Sequence, residues 1–499
     1  MAITGIGGAS ALTLQTIADM RTQLDDLQRQ LGSGKKSTSY AGLGLDRGLT
    51  IGLRSQLAAI SGYQQSITQV GVRLDLMQTQ LSQFDEVTQS SKSSIMLSQF
   101  ALNGASQTQD QRNIKGTLDQ LVGMLNTGAD GRYLFSGRSV TQVPVDTTDH
   151  ILNGDGLKAG LKQLIDERRQ ADLGSSGLGR VTVASSGATS TSITEDTGIY
   201  GLKLIGASSN IAGSTVTGPT GSPPVLDFDL GATNPNPGET VTFSFTLPDG
   251  TTRDITLRAT ASATPAAGEF SIDPSVTNTA ANLQTALTQS LTTFAATELT
   301  AASAIAAGND FFDTDAANPP QRVDGPPFDT ATAARDGTAA DTVQWYIGDD
   351  ATDDPRTTAV ARADSALTVS YGVRANEHAL RISIQSMAIF SAVSFTGSDP
   401  NEQAQYAALK QRIGSALQGN ATEQKLSDIA GELAGAQIAL NNAKERHEQS
   451  GTTLQNLLQS VEGAPTEEVA AQILAMQTSL QATLQTTALL LRTNLLQYL

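Results

Sequence analysis

Three histidines, His150, His378 and His447, are the side chains of this 499-residue chain best suited to proton transfer or metal ligation. Either chemistry needs a partner at a fixed spacing, a hydroxyl or carboxylate for acid–base work or a second ligand for a metal. None of the three has one nearby in sequence, and His378 and His447, in helical surroundings, are expected at the surface. The acidic run GDDATDDP (348–355) offers carboxylates but lacks the central Gly and distal Glu of a calcium loop, so a solvated loop is expected. GLGLDRG (42–48) invites a phosphate-loop reading. Its glycines do not fit G-x-G-x-x-G, no strand precedes it and no Lys-Ser/Thr follows, which leaves a flexible joint. With no cysteine, disulfides, thiolate catalysis and Cys-ligated metals are excluded. The expectation is a non-enzymatic chain with no catalytic, cofactor-binding or metal-ligating residue.

The bulk composition narrows the partners. A net charge of -17 opposes phosphate backbones and acidic lipids, because such binding rests on Lys and Arg displacing counterions. No apolar run reaches membrane-spanning length, and TALLLRTNLL near the C-terminus is interrupted by Arg492 and Asn494. Neither nucleic acid nor membrane insertion is expected. The opening MAITGIGGASALTL has no basic n-region and no clear cleavage site, so export, if it occurs, is expected without a cleaved signal peptide. At this length about three domains are expected. Aromatics make up only 4% of the chain, so its cores must be built from aliphatic side chains, which favours helix on helix.

The elements follow from periodicity. Ile17, Met20, Leu24, Leu27 and Leu31 alternate three and four residues apart, a coiled-coil seam that stops at Gly32 and Gly34. From Leu53 a longer helix begins, with Ile60, Ile67, Leu74 and Leu81 at one heptad position and Val70, Met77 and Phe84 at another. Ile114, Leu118, Leu121 and Leu125 mark a further helix, expected to stop at Gly128 and Gly131. In the middle, ETVTFSFTLPDGTTRDITLRAT (239–260) alternates Val241, Phe243, Phe245 and Leu247 on one face, turns at Pro248-Asp249-Gly250 and resumes as a β-hairpin, on which TAANLQTALTQSL packs as a helix. GSTVTGPTGSPP and NPPQRVDGPP read as linkers.

Helical periodicity returns with Leu409, Ile413 and Leu417, then with Leu426, Ile429, Leu433 and Leu440 in a segment running to about 461, broken at Gly463 and Pro465. Ile473, Met476, Leu480, Leu484, Leu491 and Leu495 form a last amphipathic helix. The fold expected is mainly α, a discontinuous, coiled-coil-like helical trunk built from the two ends of the chain, with an inserted β-rich α+β middle region. Its expected parts are terminal segments 1–45 and 465–499, a trunk of 46–150 and 371–464, and a variable region 151–370 holding a small α+β unit at about 225–315. Helices of about twenty residues are marginal alone, and a two-helix pair still exposes apolar surface. Further copies would cover it, which points to a homo-oligomer.

Against this background the chain resembles the bacterial flagellin family over its N-terminal section to about 140 and its C-terminal section from about 371. GRYLFSG (131–137) is similar to a hairpin where family chains leave the trunk, YGVRANE (371–377) to their return, and LLQYL (495–499) to their ending. On these motifs the nearest likeness is to the hook-associated proteins of the third type, which form the hook–filament junction. SYAGLGLDRGLTIGL (39–53) is similar to the family's connector but lacks the paired acidic residues before Ala-Gly-Leu. The resemblance implies a structural subunit in a helical or ring assembly, neighbouring hook-associated protein and flagellin, an export chaperone, type III export and an extracellular flagellar location. It assigns polymerisation to the terminal helices and the trunk exit to Tyr133, Leu134 and Phe135, with Tyr133 and Phe135 expected on one sheet face and Leu134 on the other. A filament flagellin, and more distantly a surface adhesin using 225–315, are the alternative readings.

Overall fold

The computed structural model describes residues 4–315 and 317–496, with side chains described for 11–315, 317–489 and Arg492. In chain order α1 (Thr4–Ser33) leads through a 3-10 turn (Tyr40–Asp46) into α2 (Arg47–Leu97) and α3 (Gln109–Leu125). A hairpin, β1 (Gly128–Ala129) and β2 (Arg132–Tyr133), precedes α4 (Thr148–Asn153) and α5 (Leu161–Leu173). Strands β3 (Val181–Ser185), β4 (Ser190–Glu195), β5 (Lys203–Ser209), β6 (Thr215–Thr220), β7 (Val225–Asp229), β8 (Thr240–Thr246), β9 (Thr252–Thr260) and β10 (Glu269–Ser271) follow. Then come α6 (Val276–Phe294), α7 (Thr300–Phe312) and two short hairpins, β11 (Gln321–Val323) with β12 (Ala334–Asp336) and β13 (Val360–Arg362) with β14 (Thr368–Ser370). The chain closes with α8 (His378–Ala392), α9 (Glu402–Gln418), α10 (Leu426–Glu462) and α11 (Thr466–Leu496). Long helices at both ends flank a β-rich insertion, the fold class the periodicity predicts.

The chain forms two compact units. One contains residues 1–70, 361–369 and 438–499; the other contains 71–360 and 370–437. In the second unit the heptad face of α2 is covered: Leu74, Met77, Leu81 and Phe84 are buried. Two four-stranded sheets, in orders β3-β4-β7-β6 and β10-β9-β8-β5, share an aliphatic and phenylalanine core with α6. Val241, Phe243 and Phe245 of β8 point into it, as their alternation requires. The core starts at Val181, so the α+β unit is larger than 225–315. The two segments read as linkers are corrected as well: GSTVTGPTGSPP contains the edge strand β6, and NPPQRVDGPP contains β11. An exposed edge strand buries no face, so it shows no hydrophobic alternation.

In the first unit the terminal helices are 30 and 31 residues long rather than about twenty, since neither Pro nor a left-handed Gly interrupts them. GLGLDRG spans the 3-10 turn, kinked at Gly44 with φ +55°, and the start of α2.

Candidate assembly site and trunk junction

The terminal pair is anchored where its two breaks meet. Gly34 adopts φ +66°, ending α1, and the chain then runs antiparallel to the α10–α11 connector, with Lys35 bridging Gly463. Lys36 N donates to the Glu462 carbonyl at 2.7 Å, and Ala464 N donates to the Gly34 carbonyl at 3.0 Å. Glu462 ties this corner to α2: Arg54 donates from Nε and Nη2 to its two carboxylate oxygens at 2.8 and 2.7 Å, while the guanidinium lies 5.7 Å from the Tyr40 ring centre. The hydrogen bonds from Arg54 hold the Glu462 carboxyl below its ordinary value, and the same pair raises Arg54.

Above this corner the pair is thinly packed. Ala464, Val469 and Ile473 form a small cluster against half-buried Leu24 and Leu27. Of the other seam residues, Ile17 is buried and Met20, Met476 and Leu480 are half-buried, but Leu31 and Leu484 are each 41% exposed. Leu491 and Leu495 lie outside the described side chains. Sequence reasoning missed a second set: Leu12, Leu14 and Leu474 are about two-thirds exposed on the same two helices, and Leu457 stands exposed on α10. They fall off the chosen seam, and a search for apolar residues outside it would have found them. Two helices cover only one stripe of each other, so a helix apolar on more than one side needs more neighbours.

The second candidate locus is the trunk junction. Asp130 and Gly131 take positive φ and close β1 and β2 as a two-residue hairpin, so Gly131 serves this turn and not the end of α3, which Asn126 caps. Beyond the two-residue strands Leu134 N still donates to the Thr127 carbonyl at 3.1 Å; Leu134 and Phe135 are buried and Tyr133 is half-buried. The exit and return motifs lie side by side: Ser136 bridges Arg374, Gly137 N donates to the Val373 carbonyl at 3.3 Å, and Ala375 N donates to the Phe135 carbonyl at 2.9 Å.

The acidic run clamps this pairing. Buried Arg374 reaches Asp349 at 3.3 Å and Asp353, and Arg138 also pairs with both, at 3.2 Å to Asp349. The hydrogen bonds from Arg138 and then Arg374 hold the Asp353 carboxyl well below the usual carboxylate range. The solvated-loop reading is corrected for Asp349 and Asp353, which pair with arginines, while Asp350 and Asp354 are exposed. Glu377 accepts from Arg374 N at 3.0 Å and pairs with Arg356, while burial pushes its carboxyl up.

The histidines are scattered. His150 is exposed beside Asp146, and half-buried His378 heads α8. His447 is not a surface residue: it is buried, stacks on Tyr63 with ring centres 5.4 Å apart, and donates from Nε2 to the Ala363 carbonyl at 2.7 Å. A polar ring buried this way is a satisfied core residue. Among the described residues no helix is long and apolar enough to cross a membrane.

No curated protein matches the chain. Residues 8–140, from α1 through the hairpin, match the family model of the bacterial flagellin N-terminal helical region.

Proposed function

We propose that this protein is a structural, non-enzymatic subunit of the flagellum that forms the junction between hook and filament and seeds filament assembly. The observation that carries the assembly half of this reading is the set of exposed leucines on a terminal helix pair whose described residues share a small core, within a chain whose first 140 residues include the flagellin helical region. In this reading 1–45 with 465–499 polymerise, 46–150 with 371–464 form the trunk, and 151–370 faces outward. The partners are further copies of the chain, an adjacent hook-associated protein, flagellin and, before export, a chaperone. Export leaves the N-terminus uncleaved and delivers the chain to the extracellular flagellum. The junction half rests on the likeness of GRYLFSG and YGVRANE to junction subunits and on their pairing in this fold.

A deletion strain separates the two flagellar roles. Cells that keep hooks, lose filaments and release flagellin into the medium are the expected outcome. Intact hooks carrying shortened filaments, with the protein distributed along them, would make it a filament subunit instead.

A further inference from the structure

The junction hairpin walls a groove of about 300 Å³ within the second unit, between Arg132, Tyr133 and Arg138 on one side and Thr358 and Tyr371 on the other, with Arg73 of α2 also lining it. In a chain of net charge -17 this groove holds three arginines and no Asp or Glu in its lining. Arg138 is neutralised by Asp349 and Asp353 outside the lining. Among the described residues Arg132 and Arg73 have no ion-pair partner. Arg73 is the anomaly: it is only 9% exposed, and its buried Nε has no hydrogen-bond partner. A guanidinium stays charged at any physiological pH, and burying it without a counter-charge is costly, a cost that an acceptor arriving from outside would offset.

We propose that this groove is a carboxylate-binding site, in which a carboxylate accepts from Arg73 and is flanked by Arg132. The planar guanidinium fork matches a carboxylate's two oxygens, and Tyr133 and Tyr371 line the same groove. The carboxylate is either an Asp or Glu side chain of a second copy of this chain or a free carboxylate. Only the first source rests on the assembly reading above.

The test uses the full-length monomer, labelled with ¹⁵N-arginine and titrated with acetate at constant ionic strength against chloride. The Arg73 Nε–H resonance, assigned by its disappearance in Arg73→Lys, is expected to shift saturably with acetate and not with chloride, and Arg132→Ala, at an exposed position, is expected to weaken acetate binding about threefold. No saturable shift, or an equal shift with chloride, overturns the proposal. Should Arg73→Lys fail to fold, thermal unfolding of wild type and Arg132→Ala in acetate and in chloride serves instead: a larger acetate gain for the wild type supports the site, and equal gains overturn it. The source is read separately from incorporation of Arg132→Ala beside the hook. Reduced incorporation assigns the carboxylate to a neighbouring copy, and unchanged incorporation assigns it to a free carboxylate. Failure of acetate binding leaves the deletion phenotype unaffected, so the two readings fail independently.

Discussion

Glu462 concentrates at one residue what fixes the base of the terminal pair: it accepts both nitrogens of Arg54 through its carboxylate and the Lys36 amide through its carbonyl. Its carboxyl is held below the ordinary glutamate value of 4.5. Because the folded-state pKa is depressed, the stability it contributes is present above that ordinary value and lost as pH falls through the depressed one. Wild-type protein is therefore expected to lose protection in α2 near Arg54 on acidification from neutrality to below pH 4, while Glu462→Gln starts less protected and shows a flatter profile. Hydrogen exchange at 50–63 across this pH range checks it, and identical slopes would remove the ion pair from the account. His447 shows why single residues were the hardest scale to read from sequence. Its partners, Tyr63 and Ala363, are hundreds or scores of positions away, and nothing local marks a helical histidine as buried. The Arg374–Asp353 clamp was hidden for the same reason, since a run of four aspartates reads as solvated until the arginines that meet it are known.

At the scale of elements, α2 carries the clearest test. Leu74 and Leu81 are fully or almost fully buried one heptad apart, so Leu74→Asp or Leu81→Asp places an unpaired charge in a helix–helix core. A loss on the order of 3–5 kcal/mol is expected, enough to unfold the helical part of the second unit even in the monomer. Circular dichroism with unchanged helicity and midpoint would refute this placement. The heptads of α2 were legible because one face is buried and the other is wet. In α8 that contrast vanishes: from Ser383 to Ala392 every residue is buried, so no stripe distinguishes it, and sequence reasoning passed over it. The hairpin β8–β9 was legible because alternation and turn chemistry agree, with Phe243 and Phe245 inward and Pro248-Asp249-Gly250 between the strands. At Leu134 and Phe135 the pairing partners change from Thr127 to Ala375, a long-range contact that no local pattern announces.

For the whole molecule the claim is that folding and assembly use different surfaces. Among the described residues the large core joins the sheets and α6, whereas the terminal helices share a small cluster near their base. Removing residues 470–499 is therefore expected to leave the main thermal transition within a few degrees of wild type and to abolish incorporation beside the hook; a midpoint lowered by tens of degrees would make the pair part of the folding core. The most direct measurement is hydrogen exchange on a verified monomer and on assembled protein. In the monomer, amides at 14–31 and 470–489 should exchange within seconds while those at 74–84 stay protected, because a two-helix pair with so little buried apolar surface opens readily. In the assembly both terminal segments should become protected as neighbouring copies cover Leu12, Leu14 and Leu474. Strong protection of both termini in the free monomer, unchanged on assembly, would mean that the pair is already complete within one chain and would contradict the account.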